Sequence, residues 1–236
     1  MRWTVVIPVK GAPAAKSRLA PAVDDDARAV LAKAFALDTI AAAVATPSVA
    51  RVIVVGVDPE LARVAGAEFV REGAGAPDAA GRADAAGDVR PPRAPDAGRG
   101  ARGLLAAIKQ GVDAARGEAP VAVVVLLGDL PGLHPEELDR ALEAAARHPL
   151  AFVRDADGTG STLATASDGV AFEPRFGPDS AARHVAAGFV ELAASDLPGL
   201  TRDVDTVDGL EIVLHHGVGD HTAEAVARLA DRKGTA

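Results

Sequence analysis

Seven consecutive apolar residues, Val121 to Leu127, run straight into Gly-Asp-Leu-Pro at positions 128–131. No polar residue interrupts the run, so a strand here is covered on both faces, as in the interior of a sheet flanked by helices. Trp3 to Val9 (W-T-V-V-I-P-V) repeats the pattern at the start of the chain. Further strands are expected at 51–55, 68–70, 150–153, 161–166 and 189–192. Segments of helical period lie between them: 27–44, a short 60–65, 101–115 with Leu104, Leu105 and Ile108 on one side, and 135–147 with Leu138 and Leu142 inward. Others follow at 180–187, 208–216 and 222–230. Strands alternating with helices predict a three-layer α/β domain, in which ligands sit outside the carboxyl ends of the strands.

A chain of 236 residues is enough for one substantial core, and no strong linker divides it, so positions 1–236 read as a single domain. One stretch departs from this pattern. Positions 71–100 hold mostly Gly, Ala, Pro, Asp and Arg, with almost nothing that packs, and read as a low-complexity loop insertion at the surface. The formal charge of -8 argues against nucleic acid as a general partner but leaves room for a small anion at a local basic patch. With no cysteine there is neither a thiolate nucleophile nor a thiolate metal site. No apolar run is long enough to span a bilayer, and the opening residues read as a strand rather than a signal peptide. A cytoplasmic protein without a membrane partner is expected. The last helix is expected either to close the core or to form an interface in a homo-oligomer.

Three constellations have the residue types for chemistry. The first follows the opening strand: Ile7 to Leu19 carries Lys10, Lys16 and Arg18 among glycine and small residues, a loop suited to wrapping phosphates. A generic strand-end loop with solvated lysines has the same look. The second is Asp129, which emerges where the apolar run must surface, with Asp205, beside Asp203 in D-V-D-T, as its natural second carboxylate. If that segment is extended, the two acids share a face, and hard cations take such carboxylate oxygens. Capping is the alternative for these acids, through Thr206 or Asp208 at the next helix. The third joins D-G-T-G (157–160) to F-G-P-D-S (176–180). The glycines beside Thr159 are expected to expose backbone N–H groups, and the helix from Ser180 is expected to offer its free amides to a second anion. His184 is read as a supporting residue, not a metal ligand.

Taken in order, I-P-V-K…K-S-R-L, G-D-L-P, D-G-T-G, F-G-x-x-S-x-x-x-H and D-x-D-T resemble the phosphoenolpyruvate and 2-phospho-L-lactate guanylyltransferases of deazaflavin coenzyme biosynthesis. The resemblance runs from about Val6 to Leu210, outside the insertion. Two positions depart from the family pattern: Gly209 stands where its last acid would be, and Leu104-Leu105 stand where relatives place a polar residue near the nucleotide. The resemblance implies a single nucleotidyltransferase domain of glycosyltransferase-A-like type with a mixed, mostly parallel sheet. It implies GTP, Mg²⁺ and a small phosphorylated carboxylate, either phosphoenolpyruvate or 2-phospho-L-lactate. Asp129 and Asp205 would hold the metal and, with Lys16, act in catalysis. Lys10 and Arg18 would bind the nucleotide, and Thr159, Gly160, Gly177 and Ser180 the acceptor. Another phosphorylated acceptor, or nucleotide binding without catalysis, are the competing expectations.

Overall fold

The computed structural model describes residues 1–9, 24–58, 60–61, 66–73, 97–117 and 121–234. In chain order the elements are β1 (Trp3–Val9), α1 (Asp25–Ala45), β2 (Val49–Gly56), β3 (Ala67–Arg71), α2 (Ala97–Arg116), β4 (Ala122–Leu126) and α3 (Pro135–Ala145). There follow β5 (Leu150–Arg154), β6 (Ser161–Ala166), α4 (Ser180–Ala186), β7 (Val190–Glu191), α5 (Pro198–Thr201), α6 (Val207–His216) and α7 (Asp220–Gly234). The strands form one sheet in the order β3-β2-β1-β4-β6-β5-β7. β4, whose five residues are all buried, occupies the middle.

Strands β3, β2, β1 and β4 run parallel, and β6 runs antiparallel to both β4 and β5. That reversal matters for function. Because Leu126 pairs with Leu163 and Val123 with Ala166, β6 starts at the carboxyl end of β4. The β5–β6 turn therefore lies at the same sheet edge as the ends of β1 and β4.

Alternate side chains of β1 point to opposite layers. Trp3, Val5 and Ile7 join one apolar cluster with Ile40 and Leu138, whereas Val6 joins another with Ile108, Val112 and Phe152. Helix α2 approaches the sheet so closely that a Cβ on Gly111 would meet Val55 Cγ2 at 2.8 Å. α7 packs on α1 through a third cluster, with Ala225 beside Leu31 and Phe35. The last helix thus closes the core, the first of the two roles open to it.

Local signals account for the helix starts. Asp24 caps α1 by accepting the Ala27 N–H at 2.8 Å, with Asp25 and Asp26 in the first turn. Pro135 opens α3, where its missing N–H costs nothing. α2 begins at Ala97, four positions before the expected start, so the stretch expected as a loop through 100 ends in helix. Positions 74–96 lie outside the described residues. At 60–65 only residues 60–61 are described, as a 3₁₀ turn. The strand expected at 189–192 is two residues long, and α5 was not anticipated. Among the described residues no helix is long and apolar enough to cross a membrane.

Candidate active site

Asp129 follows β4 at the sheet edge, and the fold brings the D-V-D segment to it. Asp129, Asp203 and Asp205, all half-buried, each offer a carboxylate oxygen, and the three atoms lie within 4.8 Å of one another. Val204, fully buried between the two acids, donates its N–H to the Asp129 carbonyl at 3.1 Å. With Val204 turned inward, its neighbours share the opposite face, as the two-residue period of extended chain requires. Thr39 of α1 accepts the Leu130 N–H at 3.0 Å, and Gly219 donates to the Pro131 carbonyl at 2.9 Å. Three separate elements therefore hold the Gly-Asp-Leu-Pro turn. Gly128 is pressed against the end of β1, where a Cβ would lie 3.1 Å from Val9 Cγ2. The close approach it permits is by β1.

Thr206, rather than Asp208, caps α6, accepting the Gly209 N–H at 3.1 Å, and Asp208 lies in the first helical turn. The α6 cap therefore falls to Thr206 and not to any of the three clustered acids. Such a trio of convergent carboxylates matches the all-oxygen donor sets that hard divalent cations take.

The second half of the site is the turn between β5 and β6. Asp155 organises it: its Oδ1 accepts the Thr159 N–H at 3.1 Å, and its backbone carbonyl accepts the Gly158 N–H at 3.1 Å. Two amides expected to face an anion are therefore used within the turn. Gly160 is required here, since a Cβ would collide with the Asp155 carboxylate. Arg154 adds a bond from its Nη1 to the Gly158 carbonyl at 2.8 Å and pairs with Glu191 through two more.

The F-G-P-D-S segment docks directly on this turn. Ala181 donates its N–H to the Thr159 carbonyl at 3.2 Å, and Ser180 donates its N–H to the Gly177 carbonyl at 3.1 Å. Ser180 Oγ lies 3.2 Å from Ser161 Oγ. Thr159, Gly160, Gly177 and Ser180, 21 positions apart at the extremes, are thereby assembled at one place. Two of the α4 amides expected to serve an anion at Ser180 are spent on Gly177 and Thr159. Gly177, at φ +113°, holds a conformation that favours glycine. Lys10, Lys16 and Arg18 lie outside the described residues.

Beneath these two turns, His184 is fully buried, stacked on Phe152 at 5.3 Å and edge-on to Phe176 and Phe189. Its Nδ1 lies 3.0 Å from Ser161 Oγ, and its Nε2 accepts the Arg175 N–H at 2.9 Å.

No protein-family model matches the chain. A phosphoenolpyruvate guanylyltransferase of Streptomyces coelicolor is 45% identical over 232 residues, spanning 97% of this chain and 98% of that one. The chain belongs to the phosphoenolpyruvate guanylyltransferase family. The relative from Streptomyces scabiei is 44% identical over 230 residues, with 97% and 98% covered. Among solved structures, a putative nucleotide-diphospho-sugar transferase from Desulfovibrio desulfuricans G20 superposes with a TM-score of 0.60 at 17% identity, covering 90% of this chain and 87% of that one. Rv0371c from Mycobacterium tuberculosis H37Rv gives 0.51 at 19% identity, with 91% and 98% covered. These two share the nucleotidyltransferase-like α/β fold expected above.

For this member of the guanylyltransferase family, the buried imidazole has a measurable consequence. Burial, reinforced by the nearby Arg183 and Arg175 charges, pushes the His184 pKa from 6.5 down to about 4. The ring is neutral in the fold, while the unfolded chain takes up a proton below pH 6.5. Stability is therefore full above pH 6.5, falls between pH 6.5 and 4, and levels off below. The shift corresponds to about 3 kcal/mol in all, with about 2 kcal/mol of it gone by pH 5. Urea unfolding at pH 7 and pH 5 measures this directly. Equal midpoints at the two values would place His184 in a hydrated, not a buried, environment.

Sequence reasoning singled out Asp129 and Asp205 but not Asp203 as a ligand, although the D-x-D alternation carried that signal. Asp155, Arg154 and Ser161 had no signal of their own.

Proposed function

We propose that this protein transfers the guanylyl group of GTP to the phosphate of phosphoenolpyruvate. An acceptor phosphate oxygen bonds to the α-phosphorus of GTP, the bond from that phosphorus to the bridging oxygen breaks, and pyrophosphate leaves. The observation that carries this reading is the placement of the acidic trio and the Thr159 and Ser180 turns at one sheet edge, in a chain 45% identical to a protein so named. Asp129, Asp203 and Asp205 fit Mg²⁺ in charge and donor type. Bound there, the ion would neutralise phosphate charge and polarise the α-phosphorus.

The chain's own residues do the rest by positioning. A phosphate dianion is already a nucleophile near neutral pH, so no general base is needed, and alignment becomes the main contribution of the protein. The Thr159 and Ser180 hydroxyls, with the backbones of Gly160 and Gly177, orient the small carboxylate so that its phosphate faces the nucleotide. Lys10, Lys16 and Arg18 enter on their sequence alone, as the cations that hold the triphosphate and stabilise departing pyrophosphate.

Incubation with GTP, MgCl₂ and either phosphoenolpyruvate or 2-phospho-L-lactate tests the proposal. Pyrophosphate release with a guanylylated product from phosphoenolpyruvate is expected. A product from 2-phospho-L-lactate alone would reassign the acceptor. GTP binding without pyrophosphate from either would leave a nucleotide-binding domain.

A further inference from the structure

Glu137 has no part in the chemistry above, yet its side chain is buried in the first turn of α3, with the residue only 6% exposed. A carboxylate so enclosed needs hydrogen-bond donors. Its Oε2 accepts the His134 N–H at 3.4 Å, within its own helix start. Its Oε1 accepts the Gly199 N–H of α5 at 3.2 Å, 62 positions along the chain. Gly199 also stands against the Gly132 carbonyl, with no room for a Cβ between them. Leu200, fully buried, joins the same apolar cluster as Leu138 and Leu142 of α3. α5 is thereby fastened to the stretch that follows Asp129, and Asp203 comes directly after it. Two further bonds hold that segment: the Thr201 carbonyl accepts the Ala156 N–H at 2.8 Å, and Val204 donates to the Asp129 carbonyl at 3.1 Å.

We infer that Glu137 is a positioning residue for the acidic trio: by tying α5 to the stretch after Asp129, it sets the angle at which Asp203 and Asp205 meet Asp129. The inference deepens the metal reading and rests on it. The Val204 bond alone fixes a distance and leaves the 203–205 segment free to pivot about it. A second tie at Gly199, to a carboxylate rooted in α3, removes that freedom. The Ala156 bond does not replace it, because Ala156 belongs to the β5–β6 turn and not to the chain that carries Asp129. Asp129 and Glu137 lie on one continuous run, closed on itself by Leu133 N–H to the Leu130 carbonyl at 3.1 Å. A carboxylate suits this position, since two N–H donors converge on it and each receives an oxygen. Groups that orient metal ligands without touching the metal are typically worth about 10- to 100-fold in metal affinity.

The test is calorimetric titration of MgCl₂ into the full chain without substrates, well below the melting temperature of every variant. Glu137→Met fills the space but offers no acceptor, and is expected to raise the Mg²⁺ Kd about tenfold. Glu137→Gln keeps a carbonyl oxygen for the Gly199 N–H and is expected to stay within about threefold of wild type. Val123→Ala is the control for lost stability alone, since Val123 is fully buried at the amino end of β4, away from the trio. It should lower Tm and leave the Kd unchanged. If Glu137→Met does not fold, Gly199→Ala, which displaces α5 from the same carboxylate, takes its place. A wild-type Kd in that variant, with a raised Kd in Asp203→Asn, would overturn the inference and leave the metal reading standing. Equal rises in Glu137→Met and Val123→Ala would overturn it too, reducing Glu137 to a packing residue. Unchanged binding in Asp203→Asn, or no binding by the wild type, would remove the metal reading and the inference with it.

Discussion

Asp129→Asn and Asp205→Asn are each expected to lower turnover about 1,000-fold in a protein that remains folded, a loss of about 4 kcal/mol in transition-state stabilisation. The amide keeps the shape of the carboxylate and removes its charge. The site depends on charge, because three carboxylate oxygens within 4.8 Å of one another are what a divalent ion would neutralise. The backbone that presents them is secured separately. Val204 N–H to the Asp129 carbonyl, Leu130 N–H to Thr39 Oγ1 and Gly219 N–H to the Pro131 carbonyl involve no acidic side chain of the trio, so these three bonds survive the substitution.

A second measurement separates loss of metal from loss of fold. A ligand that binds only the native state stabilises it by about 2.7 kcal/mol at 100 times its Kd. For a chain of this size that raises Tm by about 5–10 °C. Wild-type protein is expected to show this rise on adding MgCl₂, and the two Asn variants to show little of it. Turnover near the wild-type value in either variant, at ordinary Mg²⁺, would mean that the trio does not hold the catalytic ion. A normal Tm rise with lost turnover would keep the metal and move the defect to substrate alignment.

What the sequence revealed divides along physical lines. β1 and β6 were readable residue for residue, and β4 to within one residue at each end; for β1 and β4 the reason is that a strand covered on both faces needs a nearly unbroken apolar run. Asp129 was readable for the same reason: an acid directly after such a run must sit where the sheet meets solvent. Asp203 was half readable, since sharing a face with Asp205 required only extended backbone, but reaching Asp129 depended on Val204 docking at the end of β4. The start of α2 was hidden because A-G-R-G is rich in glycine, a weak helix former. α5, at four residues, is too short to show any period. Least readable was the support beneath the Thr159 and Ser180 turns. Ser161 and His184 are 23 positions apart, and nothing in either neighbourhood marks the other. Asp155 matters only because the turn folds its carboxylate back on the Thr159 amide, a contact that exists once the β5–β6 geometry does.

Gly199→Ala is expected to destabilise the protein by about 3 kcal/mol, at the upper end of overpacking costs, and to lower Tm by about 10 °C. The reason is a contact that cannot relax. A Cβ at Gly199 would run into the Gly132 carbonyl oxygen and the Glu137 carboxylate, with the Gly132 carbonyl carbon at 2.7 Å. A flexible side chain could move aside. Here the obstacle is backbone, immediately after the Gly-Asp-Leu-Pro turn. The Gly199 N–H also donates to Glu137 Oε1 at 3.2 Å, a bond made inside the protein that the displaced chain would forfeit. Gly103→Ala provides the contrast. That position is in a helix with nothing within 4 Å of an added Cβ, so the better helix propensity of alanine should add up to about 1 kcal/mol. Paired thermal melts of the two variants would show opposite signs, and a Gly199→Ala melt matching wild type would mean that α5 does not bear on the turn. The consequence reaches the active site. α5 leads within two residues into the Asp203–Asp205 segment, while Gly132 follows Asp129 by three. A shift at Gly199 therefore separates the two halves of the acidic trio, and the variant should need more Mg²⁺ for half-maximal activity even at temperatures where it is fully folded.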